Sequence, residues 1–131
     1  MRYLGLALGL AAGMATAATA QDVPVEIGKL SGQQITLHVY PFLTKDDLKT
    51  LRFVAKNKEA LKLFITSKGY SALAVAPDEG FAPDGMPAPS AVALGDFADA
   101  ATAATEAAKA CDAKRKGTKA CVVVLEVGPA S

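Results

Sequence analysis

The sequence predicts an α+β domain of order β-α-β-β-α-β, a split-βαβ (ferredoxin-like) sheet with two helical segments on one face. Three observations predict it. Four short apolar runs read as strands, at 34–40, 70–76, 91–94 and 121–127; two stretches with helical period separate them, at 44–68 and 96–116; and the punctuation between them is proline or glycine.

The first 20 residues are set apart from this domain. Arg2 is the only charge before Asp22, an apolar stretch runs from Tyr3 to Ala12, and Ala18-Thr19-Ala20 is an A-x-A pattern that signal peptidase accepts. The expectation is a cleaved signal peptide over 1–20, with Ala18 and Ala20 at the cleavage site and Gln21 as the first mature residue. A spanning helix needs roughly 20 apolar residues with some bulk, and the leucines of this segment end at Leu10. The reading is therefore a periplasmic or secreted protein with no stable membrane anchor after cleavage.

Residues 21–33 read as a lead-in segment, with a brief strand at Val23–Ile27, and 34–131 as a single domain. Gln34 to Tyr40 alternates strictly, so Ile35, Leu37 and Val39 face a core while Thr36, His38 and Tyr40 face out. Pro41 ends the strand. Thr44 then opens a helix: its hydroxyl caps the first turn and Asp47 sits three positions on, as in a capping box. Leu48, Leu51, Val54, Ala55, Leu61 and Ile65 share one stripe, Phe53 points away from it and Lys58 falls inside it. A break or second start is expected near Asn57.

Tyr70–Ala76 is a strand of small residues. Pro77 to Pro89 holds four prolines and two glycines and must be a loop, long for a hairpin. Ala91–Leu94 resumes as a strand. Asp96 is expected to cap the next helix, with Asp99 at its third position, and Ala100, Ala101, Ala103, Ala104, Ala107, Ala108 and Cys111 form a slim face able to lie close on a sheet. Lys114, Arg115 and Lys116 suit the negative end of that helix. Cys121–Val127 is the last strand. A different α+β sheet of the same elements is the alternative.

Cys111 and Cys121 are the two cysteines of the chain. In an oxidising compartment an even count reads as a disulfide, here stapling the turn between the second helix and the last strand. A loop of this size contributes about 2.5–3 kcal/mol, chiefly by restricting the unfolded chain. Two cysteines with one histidine do not fill a tetrahedral zinc shell, and the spacing is not C-x-x-C.

Composition excludes some partners. Arg2 is one of the 14 basic residues, so the mature chain balances 13 against 13 acidic ones, and nucleic acid needs a cationic surplus. The charges are segregated nonetheless. Lys45, Lys49, Arg52, Lys56, Lys58, Lys62 and Lys68 crowd one segment, and acidic residues dominate from Tyr70 to Asp112. Two faces attracting each other within the fold is the reading adopted; a basic helix offered to an anionic surface is the alternative.

No residue set forms a catalytic constellation, and no cofactor or metal site is expected. His38 is the single histidine, with no orienting carboxylate or nucleophile near it in sequence. Asp78, Glu79 and Asp84 lie in the long loop as possible acid–base groups or as plain polar loop residues. With Phe81 and Met86 they make the candidate binding loop, since loops on a rigid scaffold commonly carry binding.

Gly69-Tyr70-Ser71-Ala72-Leu73-Ala74-Val75-Ala76-Pro77-Asp78-Glu79-Gly80 and the tail from Ala107 through Cys111 to Cys121-Val122-Val123-Val124 resemble a group of small exported bacterial proteins of unknown function. Members of that group are often labelled 5-aminolevulinate synthase. Enzymes of that name are large cytoplasmic pyridoxal-phosphate folds with a Schiff-base lysine, and a mature domain of this length has no room for such a site. The resemblance implies the exported location and the paired cysteines, not the chemistry. The functional expectation is a small exported domain, leaning non-enzymatic, that binds an unknown periplasmic protein or small ligand through the 77–89 loop. The alternatives are a protease-inhibitor module similar to subtilisin propeptides and, lower, a small enzyme.

Overall fold

A computed structural model of the chain describes residues 23–64, 69–81 and 87–130. The fold is α+β. Five strands, β1 (Val25–Leu30), β2 (Gln33–His38), β3 (Tyr70–Val75), β4 (Val92–Phe97) and β5 (Val122–Pro129), form one antiparallel sheet in the order β1-β2-β5-β3-β4. Three helices accompany it among the described residues: α1 (Lys45–Lys56), α2 (Lys58–Phe64) and α3 (Ala100–Lys114). The expected signal segment and its cleavage residues Ala18, Ala20 and Gln21 lie outside the described residues.

The segment read as a lead-in supplies a full strand. Ser31 and Gly32 both take positive φ, 53° and 79°, the two-residue turn whose twist suits a hairpin. It folds β1 back onto β2 in register from Leu30↔Gln33 to Val25↔His38.

The expected helix signals are in place. Thr44 and Asp47 close a reciprocal capping box at 3.0 Å in each direction. The break falls at Asn57, which ends α1 and whose side chain then accepts from the Ala60 N–H at 3.0 Å to start α2. The cap of α3 is Asp99, accepting from Thr102 N–H at 2.7 Å. Asp96 has another role. It sits in β4 at φ 70°, where Tyr70↔Phe97 and Ala72↔Leu94 leave one extra residue on β4, a bulge.

The strand order departs from the ferredoxin-like expectation. There the last strand would lie at an edge; here β5 lies between β2 and β3. Because all neighbours are antiparallel, β2 runs parallel to β3 across β5, and β4 runs parallel to β5 across β3. Two split β-α-β units therefore interlock, but in a different order. The physical reason is burial: Ser71–Ala76 is buried throughout, Val124, Leu125 and Val127 are buried with Val122 and Val123 half-buried, and a strand apolar on both sides belongs in the middle of a sheet covered on both faces.

The helices accordingly lie on opposite faces, not on one. Leu73 and Val75 join Ile35, Leu37, Leu125 and Val127 beneath Leu51 and Val54 of α1 and Leu61 of α2. Ala72, Ala74 and Ala76 point the other way, against Ala103, Ala107 and Cys111 of α3. β3 thus carries a bulky and a small apolar face, and each needs its own layer. α3 packs chiefly on β3, β4 and β5, and among the described residues no helix covers that side of β1, where Val25 and Ile27 are exposed.

This placement separates the basic α1–α2 segment from α3 by the sheet. The ion pairs among the described residues are His38–Glu126, Arg52–Glu26, Arg115–Asp112 and Lys119–Asp78, and none joins the basic 45–68 set to the acidic 70–112 set. Among the described residues the two charged segments make no ion pair with each other.

Candidate binding surface

The predicted loop residues Asp78 and Glu79 sit on the turn that leaves β3, where the Glu79 and Gly80 N–H groups donate to Ala76 O. Their carboxylates face the connection from α3 to β5. Glu79 accepts from the backbone N–H of Lys116 at 2.8 Å and Gly117 at 3.2 Å, and from the Ser90 hydroxyl at 2.6 Å. Asp78 accepts from Lys119 N–H at 3.3 Å. A Cβ on Gly117 would stand 2.6 Å from the Asp78 carboxylate, so glycine is what lets the two segments approach. On the far side Asp112 accepts from Cys121 N–H and the Arg115 guanidinium, each at 2.8 Å.

Cys111 and Cys121 are joined by a disulfide with their Cα atoms 6.0 Å apart. Staple and carboxylates together hold the 115–120 turn. The donated hydrogen bonds keep Glu79, Ser90 first and Lys116 next, below the ordinary carboxylate range, and those from Cys121 and Arg115 do the same for Asp112. A carboxylate held ionised by the backbone is a clasp and a poor general acid.

Groups whose folded pKa is depressed stabilise the fold fully above the unfolded carboxylate pKa, and that contribution is lost as pH falls through the folded value. We therefore expect the urea midpoint to fall between about pH 7 and about pH 3, and Glu79→Gln to shrink that fall. An unchanged fall in the variant would remove Glu79 from the account.

Phe81 is half-buried, bridged to Pro87 and packed against the main core. It anchors the loop. Asp84 and Met86 lie outside the described residues. Beside the clasp is an open basin of about 350 Å³ lined by Glu79, Pro89, Ser90, Lys114 and Lys116.

His38 has a partner that the sequence did not reveal. Its Nε2 lies 2.5 Å from Glu126 on β5, and both side chains are about three-quarters covered. Tyr40 lies alongside, its ring 6.3 Å from His38 and stacked on Phe42 at 5.8 Å. Burial, and secondarily the Glu126 charge, push the Tyr40 phenol up from its ordinary value. The legible signal was Glu126 as the one charge in the Val122–Val127 run, outward-facing like His38. The neighbouring hollow of about 80 Å³ is mixed in character, with Gln34, Thr36 and Glu126 beside Ala100, Val127 and Pro129 on its walls. Tyr70 lies over Gly128 so closely that a Cβ there would stand 2.4 Å from its ring. Among the described residues no three His, Cys, Asp or Glu side chains group to hold a metal ion, and no helix is long and apolar enough to cross a membrane.

The remaining feature is the free edge at β1. Closure of a two-residue hairpin makes Leu30–Gln33 a hydrogen-bonded pair, and alternation follows. Val39 N–H donating to Pro24 O at 2.8 Å continues that phase. The N–H and C=O groups of Val25, Ile27 and Lys29 thus point away from β2. Their side chains are exposed too, Val25 by 48% and Ile27 by 63%. The opposite edge differs: β4 is bulged at Asp96 and braced by α3, both devices that discourage pairing. Above β1, Arg52 of α1 makes a two-pronged contact with Glu26 at 3.0 and 2.7 Å. That contact, with Lys56 adding its charge, holds Glu26 below the ordinary carboxylate range.

No protein family, no curated protein and no solved structure matches the chain.

Proposed function

We propose that this is a small exported domain, non-enzymatic, that binds a protein partner by taking an extended segment of it onto the free edge of β1. One observation carries the reading: three consecutive outward residues, Val25, Ile27 and Lys29, offer unpaired backbone groups and exposed side chains on an edge that nothing covers among the described residues. Strand addition draws its affinity from main-chain hydrogen bonds and its specificity from alternate side chains. Export is supported by the Cys111–Cys121 disulfide together with the leader-like first 20 residues. The carboxylates of the 77–89 loop support the fold under this reading.

The test is selection of displayed random peptides on the mature protein. Selected peptides should slow hydrogen exchange at the Ile27 and Lys29 amides and should lose binding to Ile27→Pro. Proline is tolerated on an edge where the N–H faces solvent, so that variant keeps the β1–β2 ladder. Peptides that bind Ile27→Pro as well as wild type would move the site elsewhere.

A second reading rests on the basin beside the 77–89 loop. Lys114 and Lys116 on its wall suit a small anionic ligand. It is favoured if ligand-induced shifts centre on those lysines and leave β1 unmoved.

A further inference from the structure

Resting on the edge-docking reading, we infer that the segment received by β1 is acidic and places one aliphatic side chain into the gap between β1 and α1, opposite Gly28. Over the α1 side of β1 stand Arg52 and Lys56, with Glu26 tied to Arg52, and Lys29 extends from the other face of the strand, beside Ile27. Lys49 lies one turn before Arg52 and Phe53 on the exposed side of α1, where Phe53 is 58% exposed. The cations outnumber the acid, so a segment bearing carboxylates is drawn to this edge and a basic one is turned away.

The second element is shape. Between β1 and α1 is a gap of about 90 Å³ whose walls include Gly28, Ile35, Leu37, Ala55, Arg52 and Lys56. Gly28 contributes no side chain, and a Cβ built there meets nothing within 4 Å. In an added antiparallel strand the residue opposite Gly28 faces this same layer, as do those opposite Glu26 and Leu30; the one on the Glu26 side comes under Arg52 and Lys56, and the one on the Leu30 side meets an apolar neighbour. On that side of the bound strand an aliphatic residue therefore stands opposite Gly28, with a carboxylate two positions away under Arg52 and Lys56.

A second copy of the chain is a poorer occupant. In an antiparallel β1–β1 pairing about Ile27, Arg52 and Lys56 of both copies would flank one seam, and like charges disfavour it.

The probes are two synthetic peptides, one built on Glu-Thr-Val-Thr-Glu and one on Lys-Thr-Val-Thr-Lys, whose charged residues and valine share one side of an extended strand in either direction, titrated against the mature protein by fluorescence anisotropy. We expect the Glu peptide to bind at least tenfold more tightly, the difference to shrink as salt is raised, and the Ile27 and Lys29 amides to become protected. Lys56→Glu should weaken the Glu peptide several-fold and improve the Lys peptide. Gly28→Val should weaken the Glu peptide while leaving thermal stability at or above wild type, since the valine fills open space. Equal binding of both peptides with protection of Ile27 overturns the acidic preference and leaves edge docking standing. Binding without protection of Ile27, or undiminished by Ile27→Pro, overturns edge docking itself. A dimer in sedimentation that dissociates in Ile27→Pro overturns the proposed partner in favour of self-pairing.

Discussion

Leu125→Ala is expected to lower stability by about 2–5 kcal/mol, with a drop in Tm of roughly 10–20 °C. Leu125 is fully buried on β5. It is directly opposite Leu37 of β2 on one side and Leu73 of β3 on the other, so three leucines form a row across the sheet beneath α1 and α2. Removing the middle one takes away its transfer energy. It also leaves a void that neither neighbour can close, because both are fixed by their own ladders. The size of the effect depends on β5 being central. On an edge strand the same truncation would open toward solvent and relax, with a loss nearer 1 kcal/mol. Urea unfolding of the variant thus reports on the strand order as well as on the core.

Loss of the disulfide is expected to have the next largest effect. Replacing both Cys111 and Cys121 by alanine should lower stability by about 2.5–3 kcal/mol, mostly by freeing the unfolded chain. The fold adds a local consequence. Cys111 is fully buried among Ala72, Ala74 and Ala107, so the double serine variant should be worse than the double alanine by a further ~1–3 kcal/mol, the cost of a buried hydroxyl without a partner. Hydrogen exchange at the Lys116 and Gly117 amides, which Glu79 accepts, should quicken in both variants. Stability within about 0.5 kcal/mol of wild type after removal of both sulfurs would mean that the carboxylate clasp alone holds the turn.

Much of the site chemistry was hidden for one reason. Asp78 and Glu79 look available in sequence because their partners, the backbone amides of Lys116, Gly117 and Lys119, are residue-blind and lie almost 40 positions away. His38 looked solitary for the same reason, Glu126 being 88 residues on. The free edge at β1 was concealed differently. Val25-Glu26-Ile27-Gly28 is short and mixed, and it becomes a strand only because Ser31 and Gly32 turn it onto β2.

By itself the sequence determined the α+β class, the Thr44 cap, the break at Asn57, the outward placing of Phe53 and the pairing of Cys111 with Cys121. Each rests on chemistry acting within a turn or a single loop: a hydroxyl reaching an amide, a period of 3.6, two thiols in one short connection. Tertiary structure alone decided that β5 is central, that α3 lies on the face opposite α1, and that Asp78 and Glu79 are clasps. Antiparallel ladders form the same hydrogen bonds in any strand order, so local signals cannot choose among orders. The choice falls to how apolar faces match, with the leucine side of β3 under α1 and α2 and its alanine side under α3.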